Sequence, residues 1–165
     1  MRQGLDSGWL GEAIVLRDDI NNALKEAMKG GEKRRVSTLR LVNSAVKNAD
    51  IEARGHGKGP LSDEELLSLL QKMIKQRQES IELYEKGGRA ELAAQEREEI
   101  AIIASYLPQQ MSEAEARAAI DAAVAETGAA GMKDMGKVMA ALKARHAGKM
   151  DFAKASALVK ARLSG

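Results

Sequence analysis

Few residues in this sequence have the side chains for acid–base, metal or nucleophilic chemistry, and they lie far apart. The chain has no cysteine, which excludes disulfides, thiolate zinc sites and cysteine nucleophiles. Its two histidines, His56 and His146, are distant in sequence, and neither has a second histidine beside it. No serine lies in a pattern typical of Ser-His-Asp or Ser-Lys catalysis. We therefore predict no catalytic residue, no metal ligand and no cofactor.

The glycine-rich segment GHGKGP at residues 55–60 superficially resembles a phosphate-binding loop. A Walker loop follows a buried strand, and its Gly-Lys pair is followed by Ser or Thr. Here Gly59 follows Gly57-Lys58, and helical patterns lie on both sides. The segment is therefore predicted to be a flexible connection between helices.

Three charged residues fall on apolar helix faces. At 100° per residue, Arg77 lies on the apolar face of one predicted helix, and Glu96 and Glu99 lie on that of the next. A hairpin turning at Gly87-Gly88 places Arg77 opposite Glu99. Because a buried charge needs a partner, we predict an Arg77–Glu99 ion pair with a structural role.

Basic residues are concentrated near the C-terminus. Residues 133–162 contain 8 basic and 2 acidic side chains, although the net charge of the whole chain is only +2. The basic residues are Lys133, Lys137, Lys143, Arg145, Lys149, Lys154, Lys160 and Arg162. Such a patch favours contacts with phosphates. With only 2% aromatic residues, stacking on single-stranded bases is disfavoured, so folded, double-helical RNA is the better candidate.

A second basic pattern lies in the predicted second helix. Lys33, Arg40, Lys47 and Arg54 recur every seven residues. Seven residues are slightly less than two helical turns, so the four side chains line one side of the helix over roughly 30 Å. The row has two interpretations: it follows a phosphate backbone, or it is a solvated helix flank.

Hydrophobic periodicity predicts an all-α protein. Apolar positions recur at helical spacing, while glycine pairs and two Ser-x-x-Glu capping boxes mark the boundaries. The predicted helices span about residues 10–29, 32–54, 62–86, 89–106, 112–127, 133–146 and 151–163. The architecture is four helices followed by three. The chain has no apolar run of membrane-spanning length and no signal peptide, so we expect a cytoplasmic protein without membrane contact.

Three segments in this order resemble the GatB/YqeY family, and specifically its stand-alone YqeY-like members. They are STLRLVNSAVKNADIEARG at 37–55, KMIKQRQESIELYEKGGRAELAAQEREEIAIIASYLPQQMSEAE at 72–115, and KDMGKVMAALKARHAGKMDFAKASALVKARL at 133–163. The resemblance implies a helical YqeY-like domain at 11–108 and a small three-helix domain at 109–165. The latter is similar to the tail of the B subunit of tRNA-dependent amidotransferase. Residues 1–10 do not match.

The resemblance also implies a function. The amidotransferase amidates Glu-tRNA(Gln) or Asp-tRNA(Asn), and its tail is a tRNA-contacting region that lies outside the catalytic part. This chain lacks that catalytic part, so we expect a non-catalytic accessory protein that binds tRNA. The candidate binding residues are Lys133, Met135, Gly136, Lys137, Lys143, Arg145 and Lys149. Gly136 either lets an RNA backbone approach closely or serves a helix break or tight helix packing.

Two alternatives to RNA binding stay open. The chain could be a protein adaptor that docks partner helices through Met132, Met135 and Met150, which could equally be core residues. It could also be a non-catalytic component of an amidotransferase complex. In all three cases the isolated chain is expected to do no chemistry.

Overall fold

A computed structural model describes residues 12–165, with side chains from residue 16 onward. Within that range the chain forms seven α-helices, one short 3₁₀ turn and no strand, which confirms the all-α class. The helices are α1 (Glu12–Gly30), α2 (Lys33–Gly55), α3 (Asp63–Lys86), α4 (Ala90–Ala104), α5 (Glu113–Thr127), α6 (Met135–His146) and α7 (Phe152–Ser164). The unmatched segment predicted at 1–10 lies outside the described residues.

The chain divides into two compact units, one ending at Leu107 and the other spanning Pro108–Gly165. Helices α1–α4 belong to the N-terminal unit, and α5–α7 belong to the C-terminal unit. The assignment of these units to the two domains that the family resemblance implies stays a prediction.

Local sequence signals set the helix boundaries of the N-terminal unit. Ser62 and Glu65 form a reciprocal capping box that begins α3, in which the serine hydroxyl accepts the Glu65 N–H at 3.2 Å. Gly88, with a φ of +72°, supplies the left-handed turn between α3 and α4. Helix α4 ends at Ala104, two residues before the predicted end.

The core of the N-terminal unit is aliphatic and lies between α1, α2, α3 and α4. Helix α3 packs along α4, and α2 packs against both α1 and α4. The buried residues are Ile20, Leu39, Val42, Val46, Leu66, Leu70, Met73 and Ile103. The apolar stripe of α2 therefore faces inward and leaves the rest of that helix to solvent.

The C-terminal unit is a small three-helix cluster with its own core. A second capping box, Ser112 with Glu115, begins α5, and Gly128, with a φ of +67°, ends it. The 3₁₀ turn Met132–Asp134 leads directly into α6. The buried residues are Ile120, Ala123, Val124, Val138, Leu142, Met150, Ala155 and Val159. No helix within residues 12–165 is long and apolar enough to cross a membrane.

Candidate functional site

The carboxylates of the C-terminal unit are all engaged in holding its helices. Residues 108–165 contain nine lysines and arginines but only six acidic residues. Three acidic residues pair with arginines: Glu113 with Arg117 (2.8 Å), Asp121 with Arg162 (3.1 Å) and Glu126 with Arg145 (2.5 Å). The other three accept backbone N–H groups: Glu115 from Ser112, Asp134 from Ala130, and Asp151 from Ala153 and Lys154.

Five exposed lysines of this unit have no carboxylate partner within residues 12–165. They are Lys133, Lys143, Lys149, Lys154 and Lys160. Three of them were candidates from the sequence, whereas Lys154 and Lys160 contributed only to the basic excess. An exposed ammonium group without an internal partner keeps its full charge for an external anion. These five lysines form what we call the unpaired lysine set.

Two other cationic candidates are partly satisfied internally. The Lys137 ammonium group lies 3.7 Å from a carboxylate oxygen of Asp134, and Arg145 pairs with Glu126. The N–H of Ala130 donates to Asp134 and, together with nearby Lys137 and Lys133, holds the pKa of that carboxyl below its usual range. Because such exposed pairs contribute little free energy, both cations can exchange their partner for a phosphate at low cost.

The structure is inconsistent with both structural explanations for Gly136, a helix break and tight helix packing. This residue lies in the first turn of α6, which continues through it, and it has no positive φ. A Cβ built at Gly136 meets no atom within 4 Å, so no helix packs tightly against it. A glycine within a helix costs up to about 1 kcal/mol relative to alanine. The fold therefore gives no reason for a glycine at this position. Its effect is to leave the backbone at the start of α6 open, between Lys133 and Lys137.

The methionine candidates contribute mainly to packing. Met150 is buried in the core at 3% exposure, and Met135 packs against that core while partly accessible. Only Met132, at 42% exposure, presents a large apolar surface. The predicted methionine docking surface is therefore reduced to one side chain.

Sequence reasoning did not identify a groove in the C-terminal unit. The groove has a volume of about 860 Å³, and alanines of α5 and α6 form much of its wall. These alanines are Ala118, Ala119, Ala122, Ala123 and Ala141. Arg145, His146 and Lys149 line it as well. The paired spacing of the α5 alanines was the available signal, since it places four small side chains on one face.

The backbone that borders this groove is fastened by two hydrogen bonds. The Met111 N–H donates to the Lys149 carbonyl at 2.8 Å, and the Gln110 amide donates to the Gly148 carbonyl at 2.6 Å. These bonds tie the segment before α5 to the turn after α6. Lys149 therefore lies in a turn whose backbone is fixed by hydrogen bonds, while its side chain is exposed.

The basic row of α2 is exposed along its whole length. Lys33, Arg40, Lys47 and Arg54 are all exposed, and none has a carboxylate partner among the described residues. Their neighbours on the inner flanks behave differently: Arg34 pairs with Glu98 at 3.1 Å, and Arg35 donates to the Tyr106 hydroxyl at 3.0 Å. The row thus consists of the α2 cations that the fold does not use.

The Arg77–Glu99 ion pair predicted from the helical spacing is present between α3 and α4. The Arg77 Nε lies 2.9 Å from Glu99 Oε1, and both side chains are largely buried, at 14% and 8% exposure. A second guanidinium nitrogen donates to the Met73 carbonyl at 3.1 Å. Burial and the neighbouring Glu99 raise the pKa of the Glu96 carboxyl. This cluster holds the hairpin and offers no nucleophile.

The histidines and acidic residues form no centre for chemistry. His56 is exposed in the connection after α2, and His146 is the last residue of α6, where its carbonyl accepts the Lys149 N–H. Across residues 12–165, no group of three His, Asp or Glu side chains has an arrangement suited to a metal ion. What the described residues do provide is a set of exposed cations without carboxylate partners.

Curated fungal proteins are similar to part of this chain. A Lachancea thermotolerans protein named "Altered inheritance of mitochondria protein 41, mitochondrial" is 38% identical over 106 residues, covering 64% of this chain and 54% of the relative. The Vanderwaltozyma polyspora protein of the same name is 32% identical over 88 residues, covering 53% and 46%. An uncharacterized Schizosaccharomyces pombe protein is 31% identical over 93 residues, covering 56% and 72%.

The chain spans about half the length of the two relatives named as mitochondrial. Their names contradict the cytoplasmic location expected from the sequence, and that prediction is wrong by this comparison. The absence of a signal peptide and of a membrane-length apolar run was its basis, and neither observation distinguishes the cytoplasm from the mitochondrion.

The family comparison covers nearly the whole chain. The profile of the family described as "Yqey-like protein" matches residues 17–163, a range that begins within α1, ends within α7 and includes most of both compact units. This range also contains the three segments that carried the resemblance in the sequence. The chain belongs to the YqeY-like protein family.

Proposed function

We propose that this protein is a non-catalytic accessory protein whose C-terminal unit binds tRNA. The observation that carries the proposal is the unpaired lysine set. All six acidic residues of the unit accept backbone N–H groups or pair with arginines, and the five lysines have no carboxylate within salt-bridge distance. A surface of this kind attracts a polyanion and binds it in a salt-dependent manner.

Two further features support tRNA as the polyanion. The open backbone at Gly136 lies between Lys133 and Lys137, where a phosphate can approach more closely than a side chain would allow. The resemblance of residues 109–165 to the amidotransferase tail favours tRNA over other RNAs. The names of the curated relatives make mitochondrial tRNA an informative ligand beside bulk tRNA.

The test is binding of the purified chain to deacylated tRNA at two salt concentrations. If about five phosphates are contacted, affinity should fall roughly 10²- to 10³-fold between 50 and 200 mM salt. The triple variant Lys133→Ala/Lys143→Ala/Lys149→Ala should lower the slope of log K against log salt by about 2 to 3.

The matched control removes three lysines from the N-terminal unit, as Lys25→Ala/Lys58→Ala/Lys72→Ala. All three control lysines are exposed, and the change in net charge is the same. Equal affinities of the two triple variants would overturn the proposal, and so would a wild-type chain that binds no tRNA at 50 mM salt.

One observation favours a second candidate, a protein adaptor within an amidotransferase complex. The alanine-lined groove would let a partner helix approach closely, because small side chains permit short distances between helix axes. Ala122→Leu fills this groove and removes none of the lysines. Under the adaptor hypothesis this variant loses association with a purified amidase subunit, whereas under the tRNA hypothesis it keeps RNA binding.

A further inference from the structure

The basic row of α2 lies on the face of the helix turned away from the core. At 100° per residue, the direction of Lys33, Arg40, Lys47 and Arg54 differs by roughly 135° from that of the buried stripe. The buried residues of α2 are Thr38, Leu39, Val42 and Val46. The row is therefore an outward surface that none of the helices within residues 12–107 covers.

The same face carries hydrogen-bonding side chains, and one acidic residue lies at its edge. Ser37, Ser44 and Asn48 are exposed within about 60° of the direction of Lys33. Glu52 lies further round the helix, whereas Asp50 lies about 40° from the direction of Arg54. Asp50 is held by Arg17 at 2.8 Å and by the Leu61 N–H at 3.0 Å. The hydrogen bond from Arg17 is the largest cause that lowers the Asp50 pKa, and the charge of Arg54 is the smallest. Asp50, the carboxylate nearest to the row, is therefore already engaged within the N-terminal unit.

We propose that the α2 row is a second RNA-binding surface, which takes the phosphates of a double-helical RNA segment. Adjacent cations are about 10 Å apart along a straight helix, and the row is about 31 Å long. Hydroxyl and amide groups beside cations are the usual donors to phosphate oxygens. A linear array of basic side chains with few apolar neighbours is better suited to binding a nucleic-acid backbone than to binding a protein, because the centre of a protein interface is apolar.

The lack of aromatic residues on this face favours double-helical RNA over single-stranded RNA. No aromatic residue lies in α2, so unstacked bases find no stacking platform. The only exposed large apolar residue within the face is Ile51, at 61% exposure. This second surface does not depend on RNA binding by the C-terminal unit, because its residues belong to the N-terminal unit.

The test uses a 20-base-pair RNA duplex as the probe and the full chain as the protein. The row variant is Lys33→Ala/Arg40→Ala/Lys47→Ala/Arg54→Ala. The control, Lys25→Ala/Lys58→Ala/Lys72→Ala/Lys86→Ala, removes the same charge from exposed positions elsewhere in the unit. Alanine is the strongest helix former, and thermal unfolding followed by circular dichroism confirms that both variants fold.

The row variant should lose at least tenfold more affinity for the duplex than the control does, and its salt slope should fall by about 3. Equal losses in the row and control variants would show that net charge alone drives binding, and would overturn the proposal. An unchanged affinity of the row variant would overturn it as well, leaving a solvated flank or a contact for an acidic protein.

The triple lysine variant of the C-terminal unit is measured in the same titration. Its affinity reports on the function proposed for that unit, whereas the row variant reports only on α2. Failure of either proposal is therefore visible without the other.

Discussion

Arginines bridge helices in both units, but the C-terminal unit also has five exposed lysines without a carboxylate partner. In the N-terminal unit Arg17 joins Asp50, Arg34 joins Glu98 and Arg77 joins Glu99, each across two helices. In the C-terminal unit Arg145 joins Glu126 and Arg162 joins Asp121 in the same way, and the unpaired lysine set remains. A guanidinium group makes several directed hydrogen bonds, which suits it to fixing helix register, while an ammonium group on a flexible stem suits a mobile polyanion.

The comparison teaches that net charge is a weak guide to where a polyanion binds. The row of α2 shows that the N-terminal unit also has unused cations, even though most of its arginines are paired. What distinguishes a binding surface is the set of cations left after the internal pairs are formed.

The largest effect is expected at the buried pair. Arg77→Met leaves the Glu99 carboxylate buried and uncompensated, and should lower the free energy of unfolding by about 3 kcal/mol. The double variant Arg77→Met/Glu99→Leu should recover most of that loss, because no buried charge remains. Urea unfolding of the single and double variants measures both changes in free energy.

Arg97→Met is the control, since its pair with Glu85 is half exposed. This substitution should lower the free energy of unfolding by less than about 0.5 kcal/mol. Equal costs for Arg77→Met and Arg97→Met would contradict the structural role.

The second effect concerns a buried hydroxyl in the N-terminal unit. Thr38 is 0% exposed, and its hydroxyl has no hydrogen-bond partner among the described residues. Thr38→Val replaces this hydroxyl with a methyl group of the same shape and should raise the free energy of unfolding by about 1 kcal/mol. Ser37→Ala, at the exposed neighbouring position, should stay within about 0.5 kcal/mol. A loss of stability in Thr38→Val would show that the hydroxyl has a partner and that the core depends on it.

The third effect separates stability from binding in the C-terminal unit. Gly136→Ala adds a Cβ where there is open space, so it should stabilise the unit by up to about 1 kcal/mol. If RNA approaches the backbone at this position, the same variant should bind tRNA several-fold more weakly. Ala140→Gly, on the exposed side of the same helix, should do the reverse and lose stability while keeping affinity. Unchanged tRNA affinity in Gly136→Ala would remove Gly136 from the site.

The smallest effect is a pH dependence of the N-terminal unit. Burial and the Glu99 carboxylate raise the pKa of Glu96 above its ordinary value of 4.5. The folded state therefore holds a proton that the unfolded chain has released, and stability falls as pH rises through this raised pKa. Glu96→Gln should be more stable than the wild type at pH 7, and the difference should shrink as the pH falls to 4. Thermal unfolding at both pH values checks the sign, and an equal difference at pH 4 and pH 7 would contradict the cause.

Most of the fold could be predicted because local signals and periodicity agree in this chain. The capping boxes at Ser62 and Ser112, the glycine turns and the aliphatic stripes gave every helix to within a few residues. The ion pair at Arg77 followed from the same reasoning, because a hairpin with a two-glycine turn leaves little freedom of register.

What sequence reasoning missed depends on tertiary contacts. The burial of Thr38 depends on how α2 packs against the other helices of the unit. A helical wheel alone does not predict that its hydroxyl lacks a hydrogen-bond partner. The partners of Lys137 and Arg145 also needed the fold, because Glu126 lies on another helix. The groove needed it too, since alanines form a wall only where no larger side chain covers them. The candidate site was therefore predicted as a set of cations, and the structure shows which of them are unpaired.

The most direct test of the central claim is amide chemical-shift mapping of the ¹⁵N-labelled chain titrated with deacylated tRNA. The account predicts that, within the C-terminal unit, the largest shifts occur at the segment from Lys133 to Lys137 and at the turn around Lys149. The α3–α4 hairpin, in which Arg77 pairs with Glu99 and Arg97 pairs with Glu85, should stay nearly unchanged. Shifts concentrated on that hairpin, or no shifts in the C-terminal unit at saturating tRNA, would contradict the claim that its unpaired lysines bind RNA.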